Sequence, residues 1–254
     1  MHRYGPNEIS SPQPGARIAR QVGIRYRPLP ATVGWRPKLT SYDQHPSSQP
    51  NLRAQALTCE RGDRLLFEDV SFEAKANSAI QIAGPNGSGK TTMLRIICGL
   101  VQALSGDLLW RGRSIEEDRT AFHRELCYLG YAGGVKLELT PRENLAFAAA
   151  LQVGKQSNDA IEHALERVDL YGFEDVAAYT LSAGQRRRIS LARLLLTGAP
   201  LWILDEPLTA LDRDGTTLAE SLMREHVSGG GILVFTTHQP LDEPPPSTTT
   251  VMLG

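Results

Sequence analysis

The chain has 254 residues, 41% of them hydrophobic and 22% charged, with a formal net charge of −1. That length suits one large domain or two small ones and is enough to bury a core. The near-neutral charge argues against a protein whose main work is gripping nucleic-acid phosphates. The three cysteines, Cys59, Cys98 and Cys127, form no C-x-x-C pair and have no clustered histidine, so a zinc site or disulfide framework is not expected and a reducing, cytosolic setting fits. The longest apolar stretch, around Ala146–Val153, falls well short of the roughly 18 residues of a membrane-spanning helix, and the chain itself is expected to be soluble.

Residues 1–53 differ in texture from the rest. Residues 1–50 hold eight of the 16 prolines, and residues 1–53 carry eight basic residues against two acidic ones. This segment therefore contributes +6 to the net charge and leaves −7 for residues 54–254. Proline-rich sequence without periodicity buries too little apolar surface to offset its ordering entropy, and no compact apolar core of a signal peptide is present. The expectation is a disordered or spurious extension. An Arg-rich transit peptide, its helix broken by prolines, and a true start of translation near Leu52 are the other readings.

From residue 54 onward the sequence is globular in texture. Ala54–Cys59 and Leu65–Phe72 read as short strands joined by the turn signal Glu60-Arg61-Gly62-Asp63. Ala79–Ala83 reads as a strand that runs into a Gly-rich turn and then a helix over Thr91–Leu100. That turn, Gly84-Pro85-Asn86-Gly87-Ser88-Gly89-Lys90-Thr91, fits the G-x-x-x-x-G-K-[ST] pattern of a phosphate-binding loop. Its glycines let backbone N–H groups converge on phosphates, and the helix that follows adds the positive end of its dipole. Lys90 would reach the β- and γ-phosphates, and the Thr91 hydroxyl would ligate Mg²⁺.

Further along, Ile161, Ala164, Leu165 and Val168 keep helical spacing, with Ser157 or Asn158 as the cap and Gly172 as the stop. Leu201–Leu204 and Ile232–Thr236 are continuous apolar runs of the kind buried on both faces of a parallel sheet. Strands alternating with helices imply an α/β domain. The first of these runs ends in Asp205 and Glu206. Asp205 suits water-mediated Mg²⁺ binding, and Glu206, facing differently, suits orienting and deprotonating an attacking water. Taken alone, the pair also reads as two solvated acids. The second run leads to His238, at a strand end where ligands bind in open α/β sheets. It is placed to donate to a γ-phosphate, or else is an ordinary structural or solvated histidine.

Leu181-Ser182-Ala183-Gly184-Gln185 precedes a helix with Arg186, Arg187 and Arg188 and the apolar set Ile189, Leu191, Leu194 and Leu195. As physics this is a capped helix, a potential anion site, with a basic first turn. The run closely resembles the signature motif of ATP-binding-cassette (ABC) ATPases and falls 23 residues before Asp205, in that family's order. Leu208–Asp212 resembles the family's D-loop and His238 its switch histidine, so the resemblance spans residues 54–254. It implies an α/β, ABC-type P-loop NTPase core, a mixed sheet with flanking helices, plus a helical subdomain over about 132–190 and an N-terminal antiparallel β region.

The cofactors implied are ATP and Mg²⁺. Gly84, Pro85, Asn86, Gly87, Ser88, Gly89, Lys90, Thr91 and Thr92 would bind the nucleotide, together with Ser182, Gly184, Gln185 and Asp212. Thr91 and Asp205 would serve the metal, and Glu206 and His238 the catalysis. ABC subunits work as head-to-tail homodimers, so the loop of one protomer would face Ser182 and Gly184 of the other. Cys59-Glu60-Arg61, Tyr128-Leu129-Gly130, Leu139–Leu145 and Thr237–Leu241 further resemble the ATP-binding subunits of bacterial cytochrome c maturation transporters. That resemblance implies a heme-exporter ATPase held by integral membrane subunits at the cytoplasmic face of the inner membrane. No heme-attachment motif is present, and no nucleic-acid partner is expected.

Two departures from the family pattern stand out. Ala132 occupies the place of a Gln that touches Mg²⁺ and the attacking water, and a methyl group does neither. Glu60 or Arg61 stands where an aromatic usually stacks on adenine, although the planar guanidinium of Arg61 is also able to stack. The alternatives are an ATPase for another exporter and a weakly hydrolysing ATP-dependent regulatory module.

Overall fold

The computed structural model describes residues 51–254. Most of the extension expected over 1–53 lies outside the described residues, but Leu52 and Arg53 already belong to the first strand, so the globular part begins before residue 54. Strands β1 (Leu52–Arg61) and β2 (Arg64–Ala74) form an antiparallel hairpin linked by Gly62-Asp63. Gly62 takes φ +61°, the left-handed backbone such a tight link requires. On its other side β1 pairs antiparallel with β4 (Ser105–Trp110), which pairs with the short β5 (Arg113–Ser114).

A second sheet of five parallel strands carries the site. It contains β3 (Ser78–Ala83), β6 (Leu126–Leu129), β7 (Leu201–Asp205), β8 (Ile232–Thr236) and β9 (Thr248–Met252), in the order β6-β7-β8-β3-β9. The apolar runs of β7 and β8 are buried at every position because both faces are covered. Alternate residues enter separate cores. Trp202, Leu204, Leu233 and Phe235 meet the helices, while Leu201, Ile203, Ile232 and Val234 face the helix after β3 and the antiparallel sheet. Each large side chain so buried contributes about 1.5–3 kcal/mol.

The helices are α1 (Lys90–Ile97), α2 (Arg119–Arg124), α3 (Pro141–Gln152), α4 (Asn158–Arg167), α5 (Ala183–Thr197) and α6 (Arg213–Ser228). Local chemistry sets their starts. Thr140 and Glu143 form a capping box ahead of α3 with Pro141 in its first turn, and Ser157 caps α4 through the Ala160 N–H. The stop of α4 falls earlier than the expected Gly172. Val168 is its C-cap, and Asp169 then takes φ +57°. Aspartate tolerates that backbone, and its carboxylate is held 2.9 Å from Arg188.

Register aligns the carboxyl ends of three strands. Gln81 pairs with Phe235, Leu204 with Phe235, and Asp205 with Thr236. The segments that leave β3, β7 and β8 therefore emerge side by side, at the edge where open parallel sheets bind ligands.

Candidate nucleotide-hydrolysis site

The loop from Gly84 to Gly89 carries the chain from β3 into α1. Gly84 has φ +147° and Gly89 φ +95°. A Cβ at Gly84 would run into the Leu253 carbonyl and lie 2.7 Å from Ser88 Oγ, so no side chain fits there. The Lys90 ammonium donates to the carbonyls of Gly84 (2.8 Å) and Pro85 (3.1 Å), which holds its charge over the loop. Gly89 is the N-cap residue of α1 and supplies no side-chain cap, so the first N–H groups of the helix open toward the loop.

Asp205 ends β7 only 2% exposed. Its Oδ1 accepts from the Thr236 hydroxyl (2.9 Å) and the Thr91 hydroxyl (3.3 Å). Thr236, fully buried at the end of β8, also accepts from the Glu206 N–H at 3.0 Å. Glu206 has φ +50°, a backbone unusual for a residue with a side chain. Its Oε2 accepts from the His238 N–H (3.1 Å), and His238 Nε2 lies 3.3 Å from its Oε1. The structure thus brings Lys90, Thr91, Asp205, Glu206 and His238 to one sheet edge.

Three buried side-chain oxygens lack a hydrogen-bond partner among the described residues: Ser88 Oγ, Asp205 Oδ2 and Glu206 Oε1. All three belong to this cluster. Buried polar atoms are usually paired; the one other such atom among the described residues, Arg53 Nε, faces Glu73 Oε1, and Glu206 Oε1 has only His238 Nε2 beside it, so Ser88 Oγ and Asp205 Oδ2 most clearly mark places for groups the chain does not itself supply. No cluster of three or more His, Cys, Asp or Glu able to hold a metal occurs among the described residues. A single carboxylate with one hydroxyl instead suits Mg²⁺, which takes its remaining ligands from phosphates and water.

Ser182, Gly184, Gln185 and Asp212 are engaged differently. Ser182 Oγ accepts from the Gln185 N–H (3.1 Å) and Gln185 Oε1 accepts from the Ser182 N–H (2.9 Å), a capping box at the start of α5. A Cβ on Gly184 would lie 3.0 Å from the Ala210 carbonyl, so the two segments approach closely. Asp212 caps α6 through the Gly215 N–H (2.9 Å) and pairs with Arg188 (3.2 Å). Its carboxyl pKa is lowered, first by the Gly215 N–H and then by Arg188. Among the described residues no hydrogen bond or ion pair joins these four to the 84–92 loop.

Of the two departures, Glu60 and Arg61 end β1 as exposed residues. Ala132 lines a cavity of about 230 Å³ together with Tyr131, Arg187, Ser190 and Thr209. The sequence pattern alone does not reveal four contributors. Arg64 brings its guanidinium within 3.9 Å of where a Gly87 Cβ would stand. Thr236 is legible only as a hydroxyl closing an apolar strand. Arg187 and Arg188, read as part of a basic first turn, are in fact 6% and 8% exposed.

A family model described as ABC transporter matches residues 67–209. The chain is 47% identical over 203 residues to the cytochrome c biogenesis ATP-binding export protein CcmA of Vibrio vulnificus (strain YJ016), covering 80% of this chain and 99% of that protein. It is 48% identical over 204 residues to the protein of the same name from Pseudomonas putida (strain GB-1), covering 80% and 97%. Among solved structures, a putative ABC transporter ATP-binding protein from Pyrococcus furiosus matches with a TM-score of 0.70 at 25% identity, covering 80% of this chain and 96% of that one. The nucleotide cradle, the paired carboxylates and these likenesses agree: the chain belongs to the ABC transporter family, as an ATP-binding subunit that resembles CcmA.

Proposed function

We propose that this chain binds and hydrolyses ATP to drive the heme export or delivery step of c-type cytochrome biogenesis. The observation that carries the chemistry is the convergence of Lys90, Thr91, Asp205, Glu206 and His238 around buried oxygens that make no hydrogen bond. The biological assignment rests on identity of about 47% to the cytochrome c biogenesis export proteins over nearly their whole length.

ATP phosphates would displace the Lys90 ammonium from the loop carbonyls and take its charge, while the N–H groups at the start of α1 donate to the remaining oxygens. Thr91 and Asp205 would hold Mg²⁺, which neutralises phosphate charge when bound. Glu206, anchored through its N–H to Thr236 and its Oε2 to the His238 N–H, is aimed to take a proton from the attacking water. His238, over half exposed at its side chain, is free to meet the γ-phosphate.

Ser182 and Gly184 serve the nucleotide of a second copy, in a head-to-tail dimer. Membrane subunits dock on the helical region over about 132–190. An open cavity of about 580 Å³ beside Tyr128, Phe147, Leu151 and Arg193 supports that reading. No helix among the described residues is long and apolar enough to cross a membrane, so the chain would be held peripherally, on the cytoplasmic face of the inner membrane.

Heme-stained c-type cytochromes in the source bacterium lacking this gene test the reading. Wild type should restore covalent heme and Glu206→Gln should not. Unchanged cytochromes after deletion would refute the pathway. Rescue by both forms would favour the regulatory module, the reading that Ala132 supports.

A further inference from the structure

Buried arginines are ordinarily paired with carboxylates. Arg187 is 6% exposed and makes no ion pair among the described residues. Every hydrogen bond of its guanidinium goes to a main-chain carbonyl. Nε donates to Pro207 (3.1 Å), and Nη2 donates to Asp205 (3.1 Å) and to Glu206. Nη1 turns the other way, to Gly130 (3.2 Å) and Tyr131 (3.4 Å). Three consecutive carbonyls of the turn carrying Glu206 thus converge on one cation, and that turn contains the positive φ of Glu206. Burial lowers the guanidinium pKa to about 10, which leaves it charged at neutral pH.

The same face of α5 continues the grip. Ser190 Oγ donates to the Gly133 carbonyl (3.0 Å) and Arg193 Nη2 to the Tyr128 carbonyl (2.7 Å). Positions 187, 190 and 193 recur at helical spacing, so one helix face holds the 128–133 loop by its backbone. Gly133 sits at φ +71°, and a Cβ there would lie 2.7 Å from Ser190 Oγ, so a side chain would displace the hydroxyl from its bond to the Gly133 carbonyl. Only Arg187 reaches across to the Glu206 turn as well. The Ala132 methyl in that loop has no polar atom with which to make such a link.

We propose that Arg187 is a positioning residue for ATP hydrolysis, its fork of donors fastening the Asp205–Pro207 turn to the Gly130–Tyr131 loop so that loop movement is passed to Glu206. This deepens the function proposed above and rests on Glu206 as the base. A planar fork is needed because the two carbonyl sets lie on different sides of the group, and a lysine ammonium, a compact point charge, cannot span both.

Steady-state ATPase kinetics on the full chain in complex with its membrane partners test it, with fluorescent-ATP binding measured alongside. Arg187→Met should lower kcat about 10- to 100-fold, the scale of a misplaced catalytic group, while nucleotide affinity and KM stay within about twofold of wild type. Arg187→Lys should recover part of the loss. Should Arg187→Met fail to fold, Arg187→Lys decides alone: a kcat below wild type at unchanged KM supports the clamp. Wild-type kcat in either folded variant, or loss of ATP binding in step with kcat, overturns it. Wild-type turnover by Glu206→Gln in the same preparation would overturn the base assignment and the clamp together, which separates the two failures.

Discussion

At the carboxyl ends of β3, β7 and β8, buried polar atoms are short of partners. At the N-termini of α5 and α6, polar side chains are satisfied from within. Ser88 Oγ, Asp205 Oδ2 and Glu206 Oε1 are all buried without a hydrogen bond, whereas Ser182, Gln185 and Asp212 cap their own helices. An unmet buried oxygen costs stability, on the order of 1–3 kcal/mol, and a chain keeps such atoms together where a ligand completes them. A capped helix end costs nothing in the free chain and offers only its outward surface. The first region has the unmet groups the proposed nucleotide would complete in one copy, and the second is the surface that the proposed function assigns to the meeting of two copies.

The largest effect separating the two regions is expected from Lys90→Ala. Removing the ammonium held over the loop should weaken ATP binding by tenfold or more, on the scale of about 1.5–3 kcal/mol for a hydrogen bond to a charged group. Equilibrium binding of ATP to the purified chain checks it. Ser182→Ala should do less: a stability loss of about 1 kcal/mol from the missing cap, read by chemical denaturation, with ATP binding to the single copy preserved and ATP-driven self-association weakened. A third effect concerns neither region. His226 stacks on Trp202 with ring centroids 3.9 Å apart, and burial lowers its pKa from 6.5 to about 4. The unfolded chain then binds a proton between those values that the native state refuses, so stability is whole above about pH 6.5 and declines as pH falls toward 4. Thermal midpoints across that window should drop for wild type and less steeply for His226→Phe.

Much of this was legible in the residues. The Gly84–Thr91 spacing forced both a tight turn and a helix start. The runs 201–204 and 232–236 were apolar throughout because both sheet faces are covered, and that put Asp205 and His238 at the correct edge. β9 was not legible: Thr248-Thr249-Thr250 at a sheet edge shows no apolar alternation, and β3 alone gives it a partner. The end of α4 was misplaced because the sequence offered Gly172 as the obvious left-handed residue, while the fold used Asp169, stabilised by Arg188 from 19 positions away. The run Arg186-Arg187-Arg188 read only as a basic first turn of a capped helix for a similar reason. What buries Arg187 is a set of carbonyls from segments about 20 and 57 residues away, and main-chain acceptors leave no mark in a sequence.

The most direct measurement is equilibrium ATP binding, with Mg²⁺ present, to wild type, Lys90→Ala and Ser182→Ala at concentrations where the chain is a single copy. Lys90→Ala should lose affinity by tenfold or more while Ser182→Ala binds as wild type does. Normal affinity in Lys90→Ala, or an equal loss in both variants, would contradict that expectation.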